Sequence, residues 1–170
     1  QIFKDSTEIK WDVKNFEEQT IVTNYLKKTL NKYLKCVNIS KSKTIRAGKL
    51  LHLKTLLSGT LKSIPNGFKD LLHDVHPTPA VCGTPKKAAM AFIRDYEPID
   101  RCYYSGFLGE IRYHSNPEFQ YANLVVNLRC MQLYEKTAKL YAGGGITNKS
   151  IPENEWEETE AKIQTLKFVF

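Results

Sequence analysis

The sequence predicts an α+β (mixed α/β) protein in which helices pack against a largely antiparallel sheet. Amphipathic segments with helical spacing alternate with short apolar segments along the chain, and no internal repeat or low-complexity linker interrupts them. The chain has 170 residues, of which 42% are hydrophobic, so it is long enough to bury a core. We therefore expect residues 1–170 to form a single domain.

The first elements follow from apolar spacing and from glycine. A helix is predicted over residues 15–34, because four apolar side chains recur there at helical spacing. These side chains are Val22, Leu26, Leu30 and Tyr33. The apolar run over 50–61, bounded by Gly59, is typical of a strand, and residues 67–75 predict a short helix.

The later elements are separated by a proline-rich segment. Residues 76–85 contain three prolines and a glycine and predict a loop, which leads into a helix over 85–97. Residues 102–113 and 122–146 predict strands of an antiparallel meander. A last helix is predicted over 152–168.

Charge and cysteine content limit the class of protein. The formal net charge is +7, and lysines are densest over residues 27–54, but they spread around a helix and a strand without interleaved aromatic residues. The spread of these lysines predicts a solvated basic face rather than a nucleic-acid site. No membrane partner is expected either, because no apolar run reaches about 18 residues. The four cysteines lack the spacing of a zinc site or a disulfide framework. These features predict a cytoplasmic protein with reduced thiols.

The last predicted helix concentrates carboxylates. Glu155, Glu158 and Lys162 follow one another at i, i+3 and i+7, so their side chains project from one helix face. A Glu and a Lys four residues apart also form ordinary surface ion pairs, worth about 0.3–0.5 kcal/mol. This helix alone therefore favours a solvated surface.

Three further features allow a ligand site. Alternation over 124–130 places Arg129 on the same strand face as Val125 and Asn127. The glycine triplet 143–145 predicts a turn, or a loop where a ligand can reach backbone N–H groups. His52, between leucines in a strand, is either a structural or a functional histidine. An arginine, backbone amides and paired glutamates together suit a ligand with carboxylates and a divalent metal.

Several motifs in order resemble the isochorismate synthases of the menaquinone or siderophore pathways, within the chorismate-utilising enzymes. The resembling segments are 71–111, 127–146 with its "YAGGGI", and 155–166, "EWEETEAKIQTL". The segment "HPTPA" at 76–80 favours isochorismate synthase over the sister enzymes that form anthranilate or aminodeoxychorismate, and formation of salicylate stays an alternative. The resemblance implies a partial chorismate-utilising-enzyme fold, with chorismate as the substrate.

The resemblance also implies a magnesium site. Glu158 matches the family's metal-ligating glutamate, and Glu155 matches an acidic residue lining the same site. A second metal glutamate is expected on the first helix, where Glu18 gives the better match and Glu17 stays an alternative. Mg²⁺ is the implied cofactor, and oxygen ligands suit this ion.

Substrate-binding roles are implied in the same way. Lys162 and Arg129 match basic residues that hold substrate carboxylates, Gly143 matches the loop amide that assists them, and His52 matches an active-site histidine. The pocket-lining positions match Val81 and Tyr104.

The chain departs from the family at two catalytic positions. The general-base lysine and the general-acid glutamate belong to motifs upstream of the first residue here, and neither Lys10 nor Glu8 lies in such a motif. We therefore expect a C-terminal fragment that is inactive by itself and that self-associates through exposed sheet edges. Two alternatives from other classes are a basic nucleic-acid-binding module and a non-catalytic scaffold.

Overall fold

A computed structural model of the chain describes residue 11 and residues 13–47, 50–63, 67–113 and 119–167. The chain divides into two compact units, Gln1–Ala91 and Phe92–Phe170. The boundary falls inside a helix rather than in a linker, and the expectation of one domain over 1–170 stays a prediction.

Unit 1 combines three helices with two short antiparallel hairpin-like sheets. Its elements are α1 (Val13–Tyr33), β1 (Asn38–Ile39), β2 (Lys43–Ala47), β3 (Leu50–Lys54), β4 (Leu57–Ser58), α2 (Gly67–Val75) and α3 (Pro79–Cys82). Strand β1 pairs with β4, and β2 pairs with β3. The helices predicted over 15–34 and 67–75 are confirmed.

Two predictions in unit 1 were wrong in detail. The strand expected over 50–61 is split into β3 and β4, because side-chain hydrogen bonds replace the ladder between them. The Leu56 amide donates to Ser40 Oγ at 2.9 Å, and the Thr55 hydroxyl contacts Ser42 Oγ at 2.8 Å. The loop expected over 76–85 contains the short helix α3, whose first residue is Pro79.

Asp74, near the end of α2, links that helix to α1 through side-chain hydrogen bonds. Its Oδ2 accepts hydrogen bonds from Lys32 Nζ at 2.9 Å and from the Tyr33 hydroxyl at 2.8 Å. Lys32 and Tyr33 together hold the pKa of Asp74 below its usual value, whereas burial and the Asp74 carboxylate raise the pKa of Tyr33 to about 12. Lys86 Nζ adds a hydrogen bond to the His76 carbonyl at 3.0 Å. The contacts position the segment that leads into α3.

Helix α4 (Lys86–Tyr96) contains the boundary, and the remaining elements belong to unit 2. They are β5 (Phe107–Tyr113), β6 (Phe119–Val126), β7 (Cys130–Leu133), β8 (Ala138–Tyr141) and α5 (Pro152–Lys167). Strand β5 pairs with β6 and β7 with β8, both antiparallel. The predicted antiparallel strands are present, but they form two separate hairpins rather than a meander, because β6 does not pair with β7 in the described part of the chain, and residues 102–106 form turns and a bend. The terminal helix is confirmed over Pro152–Lys167, and residue 168 lies outside the described residues.

The interior is small in the described part of the chain. Its buried hydrophobic residues are Tyr33, Leu34, Cys82 and Tyr141, and no described side chain is fully buried. None of the helices described combines the length and apolar composition that crossing a bilayer requires. The mixed helices and antiparallel strands confirm the α+β class.

Candidate functional site

Helix α5 brings the predicted carboxylates and lysine of unit 2 together. Lys162 Nζ lies 2.6 Å from Glu158 Oε1, and both side chains leave the helix on the face that also holds Glu155. Glu155 is only 7% exposed, although it lies in the first turn of α5, where the helix dipole favours a negative charge. Glutamate is seldom buried to this extent, which makes Glu155 a candidate binding residue.

The glycine segment after β8 lies directly against this face. Lys162 Nζ donates a hydrogen bond to the Gly143 carbonyl at 2.9 Å. A Cβ atom at Gly144 would lie 3.4 Å from Glu155 Oε2, and a Cβ atom at Gly143 would lie 2.6 Å from the Tyr104 hydroxyl. A side chain at position 143 would therefore require Tyr104 to shift, and the segment forms a close-fitting loop between α5 and Tyr104.

Tyr104 is held by aromatic and cationic neighbours. Its ring stacks on the Tyr141 ring with centroids 5.7 Å apart, and the Arg101 guanidinium lies 5.9 Å from its centroid. Arg101 is itself fixed by two hydrogen bonds of 2.6 Å to the Glu97 carboxylate. Burial raises the pKa of Tyr104, so its hydroxyl keeps its proton at neutral pH and can donate to a ligand.

Sequence reasoning missed the supports of Tyr104. Arg101 and Glu97 are four residues apart just after α4, a spacing that by itself indicates only an ion pair. Tyr141 lies in β8 and meets Tyr104 through tertiary folding, so no local signal could have identified it.

Arg129 occupies a different backbone conformation from the predicted one. Strand β6 ends at Val126, and Arg129 has φ 49°, so the chain turns there towards β7. The expectation that Arg129 shares a strand face with Val125 and Asn127 was wrong, because the ladder ends before it. A non-glycine residue at positive φ is uncommon and concentrates at functional sites. This conformation is compatible with a binding role for Arg129.

The remaining predicted residues lie in unit 1. Glu18 is on α1, where its Oε1 lies 3.8 Å from Lys14 Nζ, and Glu17 is its more exposed neighbour. His52 is partly buried in β3, opposite Ile45 of β2. Val81 is partly buried in α3, where its amide donates to the Thr78 carbonyl at 3.0 Å. Their assigned roles stay predictions.

A pocket of about 580 Å³ lies beside α5 in unit 2. It shares Tyr141, Gly144 and Glu155 with the groups described above, but neither Glu158 nor Lys162 lines it. Its other lining residues are mainly apolar and include Ile99, Leu140, Ile146, Trp156 and Ile163. Glu158 and Lys162 therefore lie outside this pocket, whereas Glu155 lines it.

The donor set on α5 fits a hard dication in part. Glu155 and Glu158 offer carboxylate oxygens one helical turn apart, and magnesium often binds one or two carboxylates together with water and substrate oxygens. Across the described residues, no group of three or more His, Cys, Asp or Glu side chains is arranged to hold a metal. Glu155 and Glu158 could therefore supply two of the oxygen ligands of a magnesium ion, and the other ligands would come from water and substrate.

Comparison with known proteins defines the family. The model of the family "Chorismate binding enzyme" matches residues 5–169. The chain therefore belongs to the chorismate-binding enzymes, and the resemblance inferred from its motifs is confirmed.

Isochorismate synthases are among the relatives that the chain resembles. The chain is 35% identical over 156 residues to the vibriobactin-specific isochorismate synthase of Vibrio cholerae, covering 90% of the chain and 38% of the relative. It is 30% identical over 162 residues to isochorismate synthase DhbC of Bacillus subtilis, covering 95% and 39%. The chain thus spans about 40% of the length of these curated relatives.

Solved structures agree with the sequence comparison. The crystal structure of DhbC from Bacillus anthracis superposes with a TM-score of 0.80 at 34% identity, over 91% of this chain and 40% of that chain. The menaquinone-specific isochorismate synthase MenF of Escherichia coli gives a TM-score of 0.79 at 29% identity, over 92% and 35%. The chain therefore has the fold of part of these enzymes.

Proposed function

We propose that this chain is the part of an isochorismate synthase that binds chorismate and magnesium. The observation that carries the proposal is the meeting of Lys162, the Gly143 loop, Glu155 and Glu158 in unit 2. Similarity to isochorismate synthases over about nine tenths of the chain supports the same activity. The overall reaction isomerises chorismate to isochorismate.

Chorismate is a dicarboxylate, which explains why the site needs cations and backbone donors. Lys162 Nζ has three N–H groups, of which Glu158 and the Gly143 carbonyl use two, so a third can bind a substrate carboxylate. Lys162 and Arg129 would bind the carboxylate of the enolpyruvyl group, Arg129 through its planar guanidinium group. The Gly143 amide would donate a further hydrogen bond to it. Val81 and Tyr104 would line the ring.

Magnesium would be held by Glu155 and Glu158 of α5, and a role for Glu18 or Glu17 of α1 stays a prediction from the family resemblance. When bound, the ion would neutralise the ring carboxylate of chorismate. The position of Glu155 one helical turn before Glu158 on the same face of α5 supports this assignment, since magnesium binds carboxylate oxygens.

The reaction adds water at one ring carbon while a hydroxyl leaves another, so one water enters and one leaves. A base must take a proton from the attacking water, and an acid must protonate the leaving hydroxyl. Neither group is assigned to this chain, whereas His52 is proposed to lie near the reacting ring. We therefore expect the chain alone not to convert chorismate.

Chromatographic product identification tests the proposal. The chain would replace the matched segment of Bacillus subtilis DhbC, and the chimera would be incubated with chorismate and Mg²⁺. We expect isochorismate, and we expect Glu158→Gln to lower its formation by about tenfold to hundredfold. Glu157→Gln is the matched control, because Glu157 is an exposed residue of the same helix that faces away from Lys162.

Other products would redirect the assignment. Anthranilate, aminodeoxychorismate or salicylate would identify one of the sister activities. A chimera that folds and forms no product, or equal losses in both variants, would contradict the proposed role of α5. Turnover by the 170-residue chain alone would contradict the expectation that it lacks the acid and base.

A further inference from the structure

Three residues other than glycine adopt positive φ in the described part of the chain, and all three lie in unit 2. Cys102 has φ 47°, Ser105 has φ 62° and Arg129 has φ 49°. Such conformations are uncommon outside glycine, and they persist where surrounding contacts hold them, often at functional sites. Cys102 and Ser105 flank Tyr104, whereas Arg129 is itself a candidate binding residue. The unusual backbone therefore coincides with two of the residues that the proposed function assigns to substrate binding.

Asn127 follows the end of β6 and joins these two backbone segments. Its amide donates a hydrogen bond to the Gly106 carbonyl at 2.8 Å, and its carbonyl accepts one from the Ser105 amide at 2.8 Å. Its side-chain Nδ2 donates to the Tyr103 carbonyl at 2.8 Å. Three hydrogen bonds from one residue thus hold the turn that contains residues 102–106.

The Asn127 side chain contacts the neighbours of both candidate binding residues. The Tyr103 carbonyl belongs to the peptide bond that leads into Tyr104. The same side chain is hydrogen-bonded to the Cys130 thiol, and Cys130 directly follows Arg129. Because a carbonyl oxygen only accepts hydrogen bonds, the carboxamide presents its NH₂ group to Tyr103. This half-buried side chain therefore links the chain beside Tyr104 to the chain beside Arg129.

The position of Tyr104 also affects the Gly143 loop. The Tyr104 hydroxyl is so close to this loop that a Cβ atom at Gly143 would lie 2.6 Å from it. The Gly143 carbonyl accepts the hydrogen bond from Lys162, and the other side of the Tyr104 ring stacks on Tyr141. A shift of the turn would therefore alter the contacts of the loop that Lys162 meets.

We propose that Asn127 is a positioning residue, which fixes Tyr104 and Arg129 relative to each other so that both contact one substrate. This inference rests on the proposed function, because it concerns the binding of chorismate at that site. A misplacement of about 1 Å can lower the rate of an enzyme about hundredfold, so the loss of one side-chain hydrogen bond has a measurable effect. Asn127 itself needs no contact with the substrate.

Steady-state kinetics of the chimera with Bacillus subtilis DhbC test this inference. Asn127→Ala removes the side-chain donor and keeps both backbone hydrogen bonds, so the turn should form but be held less firmly. We expect the KM for chorismate to rise at least about tenfold while kcat changes less than about threefold, because binding weakens equally in the ground state and the transition state. A purely structural role would lower kcat through loss of folded enzyme and leave KM unchanged.

Two further variants separate the hydrogen bond from side-chain size and from the strand. Asn127→Asp has nearly the same shape but no donor when ionised, so it should raise KM at least as much as Asn127→Ala. Asn123→Ala is the matched control, because Asn123 is an exposed residue of β6 that pairs with Glu110 of β5. It should change KM less than about twofold, since binding groups in direct contact with it are not proposed. Circular dichroism compares the folding of all variants.

A double variant shows whether Asn127 acts through Tyr104. Tyr104→Phe removes the hydroxyl that can donate to a ligand. If Asn127 positions this hydroxyl, adding Asn127→Ala to Tyr104→Phe should raise KM less than about threefold further. Independent residues would instead give effects that multiply, because their free energies add.

Several results would overturn the positioning role. It is wrong if Asn127→Ala raises KM no more than Asn123→Ala, if only kcat falls, or if the effects of Asn127→Ala and Tyr104→Phe multiply. An unsubstituted chimera that forms no isochorismate contradicts the proposed function, and the inference falls with it. An active chimera whose Asn127 variants keep the same KM contradicts the positioning role alone.

Discussion

Gly143 shows how one residue shapes the candidate site. A hydrogen in place of a methyl group lets the loop lie against the Tyr104 hydroxyl, and the loop carbonyl then accepts a hydrogen bond from Lys162. The constraint at position 143 is steric and arises from a single atom, the Tyr104 hydroxyl oxygen. It can therefore be relieved by removing that atom.

Gly143→Ala should destabilise unit 2, because its Cβ would lie 2.6 Å from the Tyr104 hydroxyl oxygen. Tyr104→Phe removes this oxygen and leaves the nearest ring carbon, the one that carries the hydroxyl, at 3.7 Å. The double variant should recover stability, with a coupling free energy of about 0.5–3 kcal/mol. Thermal unfolding of the four chains in the cycle measures this coupling.

Gly144→Ala is the comparison for this cycle. Its Cβ would meet Glu155 Oε2 at 3.4 Å, which is ordinary contact, so the loss of stability should be smaller and unaffected by Tyr104→Phe. A purely additive Gly143→Ala and Tyr104→Phe pair would contradict the steric explanation.

At the scale of elements, hydrogen bonds to Asp74 join α1 to α2. The two helices are separated in sequence by two short sheets, and their contact depends on a carboxylate that accepts from Lys32 and Tyr33. Since the ionised carboxylate accepts these bonds more strongly than the neutral acid and also pairs with the Lys32 charge, the junction should respond to acid.

The stability that Asp74 contributes should be lost as pH falls below its usual pKa of 3.8. Its pKa is lowered in the folded state by Lys32 and then Tyr33, so the unfolded state binds a proton first on acidification and unfolding is favoured. Asp74→Asn should lower the melting temperature at pH 7 and make the acid-induced decrease shallower. Thermal unfolding at pH 7 and at about pH 3 measures both effects.

Asp70→Asn provides the matched control on the same helix. Asp70 is exposed in the first turn of α2, so its replacement should leave the acid dependence nearly unchanged. If Asp70→Asn and Asp74→Asn alter the acid dependence equally, the junction does not depend on Asp74.

For the whole molecule, the division into two compact units has a thermodynamic consequence. Each unit contains its own pairs of strands, so each can unfold in a transition of its own. Few side chains in the described part of the chain are buried, so we expect two unfolding transitions.

Calorimetry of the full chain tests this expectation. Asp74→Asn should shift one transition and Gly143→Ala the other, because these residues lie in different units. A single transition shifted by both variants would show that the units unfold together.

Local pattern was sufficient for most of the fold. The helices over 15–34, 67–75 and 152–168 were predictable because their apolar spacing, capping and turn residues act within a few residues. The strand over 50–61 and the stretch around Arg129 were predicted incorrectly. Side-chain hydrogen bonds and a positive φ interrupt the ladder there, and alternation does not encode either feature.

The sequence by itself determined the family, the α+β class and the residue types of the candidate site. Ordered motifs and the i, i+3, i+7 placement of Glu155, Glu158 and Lys162 are local properties. Only the tertiary structure decided that Gly143 lies against Tyr104, that Glu155 is buried, and that Asn127 donates to the Tyr103 carbonyl. These features depend on contacts between distant segments, which spacing along the chain does not specify.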